Sequence, residues 1–169
     1  MAAMPKPLPA ISEIGALLAY CPASGAFMNR VFRNAAAPKF AKAGSIAKNG
    51  YVTIRHNKRL YLAHRMAWLF AYGNDPGGLD VDHINGDVSD NRISNLRLAT
   101  RAQNLHNSKT PKTNTSGQKG VYRNRGKWVA YIRAGGKRKQ FGAFASFDEA
   151  RAIYLSHEAA LRGDFARTA

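Results

Sequence analysis

The run from Val81 to Asn107, VDHINGDVSDNRISNLRLATRAQNLHN, constrains the fold more than any other part of the chain. It opens on an alternating, strand-like segment, Val81-Asp82-His83-Ile84. Asn85-Gly86 follows, the strongest short-range reverse-turn signal a sequence offers. A polar loop covers Asp87 to Ser94. Asn95 then leads into a second short strand, Leu96 to Ala99. Thr100 and Gln103 form a T-x-x-Q capping box, which predicts a helix starting near Arg101. The order is strand, turn, loop, strand, helix. Such a unit can hold one metal ion between the hairpin and the first helical turn.

The residue types suit that geometry. Asp82 and His83 are adjacent on a strand, so their side chains point to opposite faces unless the strand is twisted or bulged. The pair can put a carboxylate on a metal and an imidazole on a water. Asn104 lies one turn into the helix and can turn an amide oxygen toward the hairpin. One carboxylate, one amide oxygen and waters make a hard-oxygen site, suited to magnesium or manganese rather than zinc. With one carboxylate on offer, one ion per site is expected.

These residues resemble the HNH endonucleases. More specifically they resemble the ββα-metal nucleases of phage and intron-homing type, in which Asn replaces the last His. The likeness rests on Asp82-His83, on Asn95 and Asn104, on the run His64 to Trp68 and on the run Asp90 to Leu96. It implies that Asp82 and Asn104 are metal ligands and His83 the general base. It also implies that Asn95 pins the loop by side-chain-to-backbone hydrogen bonds. A phage or prophage origin and an intracellular site of action go with it.

Composition bounds the partners. The chain of 169 residues has 26 Lys and Arg against 10 Asp and Glu, a net charge of +16. Residues 1–109 hold 14 basic and 6 acidic side chains and residues 110–169 hold 12 and 4, so each side carries +8. Two basic units on one chain suggest two contacts with a polyanion, here double-stranded DNA. Cys21 is the single cysteine, which excludes an intrachain disulfide and a cysteine-based structural zinc site. No apolar run reaches membrane-spanning length. Ser12 and Glu13 interrupt what would be a signal-peptide core. A monomer is expected.

Taken in order, Met1 to Pro9 reads as an irregular arm. Ile11 to Tyr20 reads as a short amphipathic helix that Ser12 could cap and Pro22 ends. Ala26 to Arg33 is a strand, and Asn34 to Lys48 an exposed loop with Lys39, Lys42 and Lys48 along a phosphate backbone. Tyr51–Arg55 and Arg59–Leu62 are strands joined by a loop at His56-Asn57-Lys58. Ala63 to Tyr72 is a largely buried helix ended by Gly73. His64 begins that helix. As a structural group it would bond a carbonyl or a polar neighbour; as an active-site accessory it would face the metal or the scissile phosphate. His56 and His106 are placed as phosphate contacts or solvated groups. Asn107, three residues after Asn104 on the same helix face, is the alternative third ligand.

His106 to Gln118 is polar and reads as a linker whose Lys109 and Lys112 run along DNA. The expected division is a nuclease domain over 1–109 (its ββα core about 80–108), a linker over 110–118 and a second domain over 119–169. The second domain reads as strands at Lys119–Asn124, Lys127–Ala134 and Lys137–Phe144. A helix follows from the Ser146–Glu149 capping box to about Arg162. Its apolar face holds Phe147, Ala150, Ile153, Tyr154, His157 and Leu161. The fold class is thus α+β: N-terminal strands with the ββα module, then a three-stranded antiparallel sheet packed on one helix.

Gly120-Val121, Lys127 to Ala130, Ile132-Arg133, Phe141-Gly142 and Phe144 resemble the apetala/ethylene-response-factor DNA-binding domain. Alternation puts Val121, Trp128, Ala130 and Ile132 toward the helix. The other face then carries Tyr122, Lys127, Tyr131, Arg133, Arg138 and Gln140, with Arg123 and Arg125 at the first turn. A basic face with aromatics can lie in a major groove. That family has Arg where Tyr122 stands, an acid at Tyr131 and Trp at Gln140, so its base preference does not transfer. The expected function is a metal-dependent DNA endonuclease delivered by its C-terminal module. The alternatives are a catalytically silent DNA-binding regulator and an RNA-directed nuclease. The second is disfavoured because RNA's narrow major groove excludes such a sheet.

Overall fold

The computed structural model describes residues 7–101, 103–104, 114–134 and 137–162. The chain forms two compact units, residues 1–104 and 105–169. Both mix helices with small antiparallel sheets, the α+β class expected.

The first unit begins with helix α1 (Ile11–Leu17), followed by β1 (Leu18–Cys21), β2 (Ala26–Asn29) and β3 (Lys42–Ala43), paired in the order β1-β2-β3. A second sheet joins β4 (Ser45–Ile46), β5 (Val52–His56) and β6 (Arg59–Leu62). Helix α2 (Ala63–Tyr72) has the bounds expected and ends on Gly73, whose φ of 75° is the left-handed cap that glycine adopts at no cost. Strands β7 (Asp80–His83) and β8 (Leu96–Ala99) then pair, with a short 3₁₀ turn at Ile93–Asn95 leading into β8. Ile14, Leu18, Phe27, Ile54, Met66, Val81 and Leu96 form one buried cluster, so the β7–β8 hairpin is anchored by the same core that closes the N-terminal sheets.

Several expectations are corrected here. The first helix stops at Leu17, and Leu18 turns extended to pair opposite Asn29. That pairing buries Leu18 and sets Tyr20 at 4.9 Å from the Phe27 ring, gains that outweigh one more helical turn. Ser12 does not cap α1; Ala10 stands at the N-cap without a side-chain bond. Strand β2 ends at Asn29 rather than Arg33, and residues 34–48, expected as loop, include β3 and β4. His56 is not in the hairpin loop. It is the last residue of β5 and is buried, with Nε2 at 2.7 Å from Glu13 Oε1. The loop is Asn57-Lys58 alone, both at positive φ (45° and 62°), the type I′ geometry that matches strand twist.

In the second unit β9 (Val121–Asn124), β10 (Lys127–Ala134) and β11 (Lys137–Phe144) lie in the order β11-β10-β9, with helix α3 (Phe147–Arg162) packed on one face. Ser146 and Glu149 make the expected capping box: the Glu149 N–H donates to Ser146 Oγ at 3.1 Å and the Ser146 N–H to Glu149 Oε2 at 3.4 Å. Val121, Ala130, Ile132, Ala150 and Tyr154 form the core. Gly120 is required there. Its φ is 77°, and a Cβ would lie 2.0 Å from the Tyr154 ring and 2.6 Å from Tyr131 O. A register break between Ala130 and Tyr131 makes Phe141 an extra residue on β11, and its ring stacks on His157 at 3.8 Å. Leu161, expected on the apolar face, is exposed because the sheet ends before it. Residues 114–118, expected as linker, form an ordered turn in which Ser116 Oγ donates to Val121 O at 2.6 Å.

Candidate active site

Alternation along β7 puts Asp80 and Asp82 on one face and Val81 and His83 on the other. Asp82 is buried and lies opposite Arg97 across the β7–β8 ladder. Arg97 Nε and Nη2 both converge on Asp82 Oδ2, at 3.0 and 2.9 Å. Asp80 Oδ2 accepts a hydrogen bond from Asn104 Nδ2 at 2.8 Å and lies 3.4 Å from Arg101 Nη1. The Tyr51 phenol is pushed up from its usual value by burial first, then by the charges of Asp82 and Asp80. Asp80 is thus a second carboxylate on the Asp82 face of the strand, engaged by Asn104 and Arg101. Asp80 was legible in principle, because it stands two residues before Asp82 and so shares its face.

Asn104 is placed by the helix start. The Thr100 N–H donates to Gln103 Oε1 at 2.8 Å, the Gln103 N–H to Thr100 Oγ1 at 3.3 Å, and the Asn104 N–H to Thr100 O at 3.0 Å. The expected capping box thus turns the Asn104 side chain back onto β7, where it meets Asp80. Asn107, His106, Lys109 and Lys112 lie outside the described residues.

His83 is buried, with Nε2 at 3.2 Å from Asn91 Oδ1. An amide oxygen only accepts, so this contact puts the ring proton on Nε2 and makes Nδ1 the basic nitrogen. Burial lowers the His83 pKa, opposed by the Asn91 hydrogen bond and by the charges of Asp82, Asp87 and Asp90. Asn91 is held in turn from the N-terminal sheet: Tyr20 Oη donates to Asn91 O at 2.8 Å, and the Ile93 N–H to Pro22 O at 3.1 Å. Gly25 closes the β1–β2 turn so near this loop that a Cβ would lie 2.5 Å from Arg92 N. Asn91 lies within the run Asp90 to Leu96 that carries the resemblance, but nothing in the sequence pairs it with His83, and Tyr20 carries no signal; both act through tertiary contact.

His64 packs behind His83, with ring centroids 4.9 Å apart at 81°. Tyr51 lies 5.3 Å from the His64 ring and 6.0 Å from that of His83. His64 is buried, and its pKa is pushed down to about 3, first by burial and then by His83 and Arg65. Its Nδ1 has no hydrogen-bond partner among the described residues. His64 thus supports His83 by ring packing.

Asn95 spans the loop between the two strands. Its Oδ1 accepts from the Asn85 N–H at 3.0 Å and its Nδ2 donates to Asp90 O at 2.8 Å, while its own carbonyl accepts from the Ile84 N–H at 2.9 Å. The Asp90 carboxylate binds Arg92 and Asn85, and the Arg92 hydrogen bond leads in holding its pKa down to about 2.

A hard divalent cation fits this donor set. Asp82 and Asn104 carry the carboxylate and amide oxygens that could hold it, and the Asn104 NH₂ is taken up by Asp80. Among the described residues no three His, Cys, Asp or Glu side chains are grouped as a metal cluster.

In the second unit the sheet face away from α3 carries an aromatic and cationic cluster. The Tyr122 and Tyr131 rings meet edge-on at 5.7 Å, and the Arg138 guanidinium lies 4.6 Å from the first and 3.9 Å from the second. Arg133 stands opposite Arg138, and Gln140 opposite Tyr131. Lys127 begins β10, and Arg125 sits in the hairpin turn at φ 47°. Arg123 departs from the expected arrangement. It stands opposite Trp128, with its guanidinium 5.9 Å from that ring, and so lies on the helix side of the sheet.

Comparison with known proteins follows this geometry. Residues 61–106 match the family described as HNH endonuclease. The chain is 37% identical over 115 residues to protein 3.8 of Escherichia phage T7, covering 65% of this chain and 94% of that protein. It is also similar to a solved structure, "DNA binding and cleavage by the HNH homing endonuclease I-HmuI", at 19% identity and a TM-score of 0.41, over 73% of this chain and 71% of that one. No helix among the described residues is long and apolar enough to cross a membrane. The chain belongs with T7 protein 3.8 in one family, and through residues 61–106 it is an HNH endonuclease.

Proposed function

We propose that the enzyme hydrolyses a phosphodiester of double-stranded DNA with His83 as general base and one magnesium or manganese ion on Asp82 and Asn104. The observation that carries the reading is the placing of His83. Its Nε2 lies 3.2 Å from Asn91 Oδ1, which fixes the ring one residue along the strand from the Asp82 carboxylate. In the reaction His83 takes a proton from the attacking water at Nδ1. Asn91 keeps the ring from rotating as it becomes charged, and Asp82 stabilises the imidazolium. Asn95 holds the loop in place so that the phosphate has one fixed rim. The ion, when bound, supplies a Lewis acid for the phosphate and leaving oxygens. Asp80 keeps the Asn104 oxygen aimed.

The second unit is proposed to be the targeting module, of apetala type, with Tyr122, Tyr131, Arg133, Arg138, Gln140, Lys127 and Arg125 toward the groove. The test of catalysis is plasmid cleavage with magnesium, and EDTA as control. His83→Ala should lose ~10² to 10⁴ in rate while DNA binding survives. Cleavage near the normal rate by that variant would sink the assignment. Residues 114–169 should bind duplex DNA alone, with a steep salt dependence of about −0.9 per phosphate contact. A folded fragment that ignores DNA at low salt rules out the module.

A further inference from the structure

One part of the nuclease unit takes no part in the site above. Between Glu13 and Asp75 the sequence holds no acidic residue, while Arg30, Arg33, Lys39, Lys42 and Arg55 fall within it. Inside this stretch the loop from Arg30 to Ala41 carries two aromatic rings into solvent, Phe32 at 67% exposure and Phe40 at 69%. Neither belongs to the core cluster of its unit.

The backbone at Phe40 is unusual for that residue type. Phe40 and Ala41 together oppose Asn29: the Phe40 N–H donates to Asn29 O at 2.7 Å, and the Asn29 N–H donates to Ala41 O at 2.9 Å. This is a bulge whose first residue is left-handed, with φ of 65°. Glycine is the ordinary occupant of that position, and a bulky residue there is strained. The strain gains no packing, since the ring faces solvent. The backbone that carries the ring is held on both sides, because buried Asn29 also donates its side-chain amide to Pro38 O at 3.3 Å. The Lys39 ammonium lies 4.9 Å from the ring centroid. A cleft of about 510 Å³, lined in part by Asn29, Arg33, Lys42 and Arg55, adjoins the bulge.

We infer that Phe40 is a base-stacking contact for the DNA substrate, with Lys39 and Lys42 on flanking phosphates and the Arg33–Arg55 cleft receiving another. The inference rests on DNA being the substrate of the nuclease. The cleft lining holds Arg33, Lys42 and Arg55 and no acidic side chain, a charge balance that selects a polyanion. An exposed aromatic ring on a hydrogen-bonded bulge among those cations matches the π-face of a base, and apolar wedges on held backbone are how proteins unstack a base step. Strained residues that persist without a packing reason point to function.

The test uses the full chain in EDTA, so that nothing is cut, with a fluorescein-labelled duplex of about 30 base pairs. Phe40→Gly should keep or raise the melting temperature, since glycine relieves the left-handed strain. It should weaken DNA binding about 5- to 100-fold. Its log Kd against log salt should keep the wild-type slope, whereas Lys39→Ala and Lys42→Ala should each reduce the slope by about one unit. Phe40→Trp should restore affinity and show quenched indole emission on adding DNA, measured against the background of Trp68 and Trp128. Wild-type affinity in Phe40→Gly overturns the inference, as does Phe40→Trp emission that ignores bound DNA. In those cases wild-type cleavage persists and the nuclease reading stands. A wild-type chain that neither binds nor cuts DNA overturns both.

Discussion

Replacing His64 with Phe tests whether this ring is a buried neutral support or an ionising member of the site. His64 has a folded pKa of about 3 against 6.5 when exposed, chiefly through burial. The unfolded chain therefore takes up a proton that the folded chain refuses as pH falls. Stability owed to this group is fully present above about pH 6.5 and is lost progressively toward pH 3. Between pH 7 and pH 5 the loss is about 2 kcal/mol, and by pH 3 about 4 kcal/mol. Phe cannot ionise, so the variant should lose that part of the pH slope. It should also be no less stable at pH 7, because it removes a buried nitrogen, Nδ1, that has no partner among the described residues. Such orphaned groups cost about 1–3 kcal/mol. Urea unfolding of both proteins at pH 7, 6 and 5 measures the difference directly. The carboxylates with lowered pKa, Asp75, Asp87 and Asp90, titrate below this window and drop out of the comparison. Parallel pH profiles for the two proteins would refute the argument, and loss of cleavage with an intact fold would show that His64 does more than pack on His83.

Asp80→Ala should weaken manganese binding about 10- to 100-fold by releasing the Asn104 amide, and Asn104→Ala should weaken it at least as much. Calorimetric or EPR titration decides, and unchanged affinity in Asp80→Ala would mean that Asp80 does not orient the ligand. Gly120→Ala should cost roughly 3 kcal/mol or more, since the Cβ meets both the Tyr154 ring and a carbonyl at a positive φ; thermal unfolding reads it out. Lys58→Gly should stabilise the chain by about 0.5–1 kcal/mol, because Lys58 holds φ of 62° in a type I′ turn where Asn-Gly is preferred. An unchanged or lower melting temperature would show that the Lys58 side chain contributes more than its backbone costs.

Local chemistry made much of this protein readable from its residues. The capping boxes at Thr100 and Ser146, the left-handed stop at Gly73 and the apolar helix α2 each depend on neighbours a few positions away, and each is found where the sequence placed it. The same holds for the three strands of the second unit, whose alternation and turn glycines are short-range signals. The pairing of Asp82 with His83 and the capped helix carrying Asn104 follow from spacing alone. What escaped depends on contacts across long stretches of chain. Leu18 to Cys21 continues a helical pattern by periodicity, yet pairing with β2 and burial against Phe27 draw it into a strand. Asn91 meets His83, Tyr20 braces Asn91 from 71 residues away, and His64 meets the His83 ring edge-on from helix α2. Asp80 and Arg97 enter the site only because β7 and β8 pair in one particular register. A sequence fixes which groups are present and how each short segment bends. Which face is covered, which acid meets which guanidinium and which imidazole stays neutral are decided only when distant segments share one core.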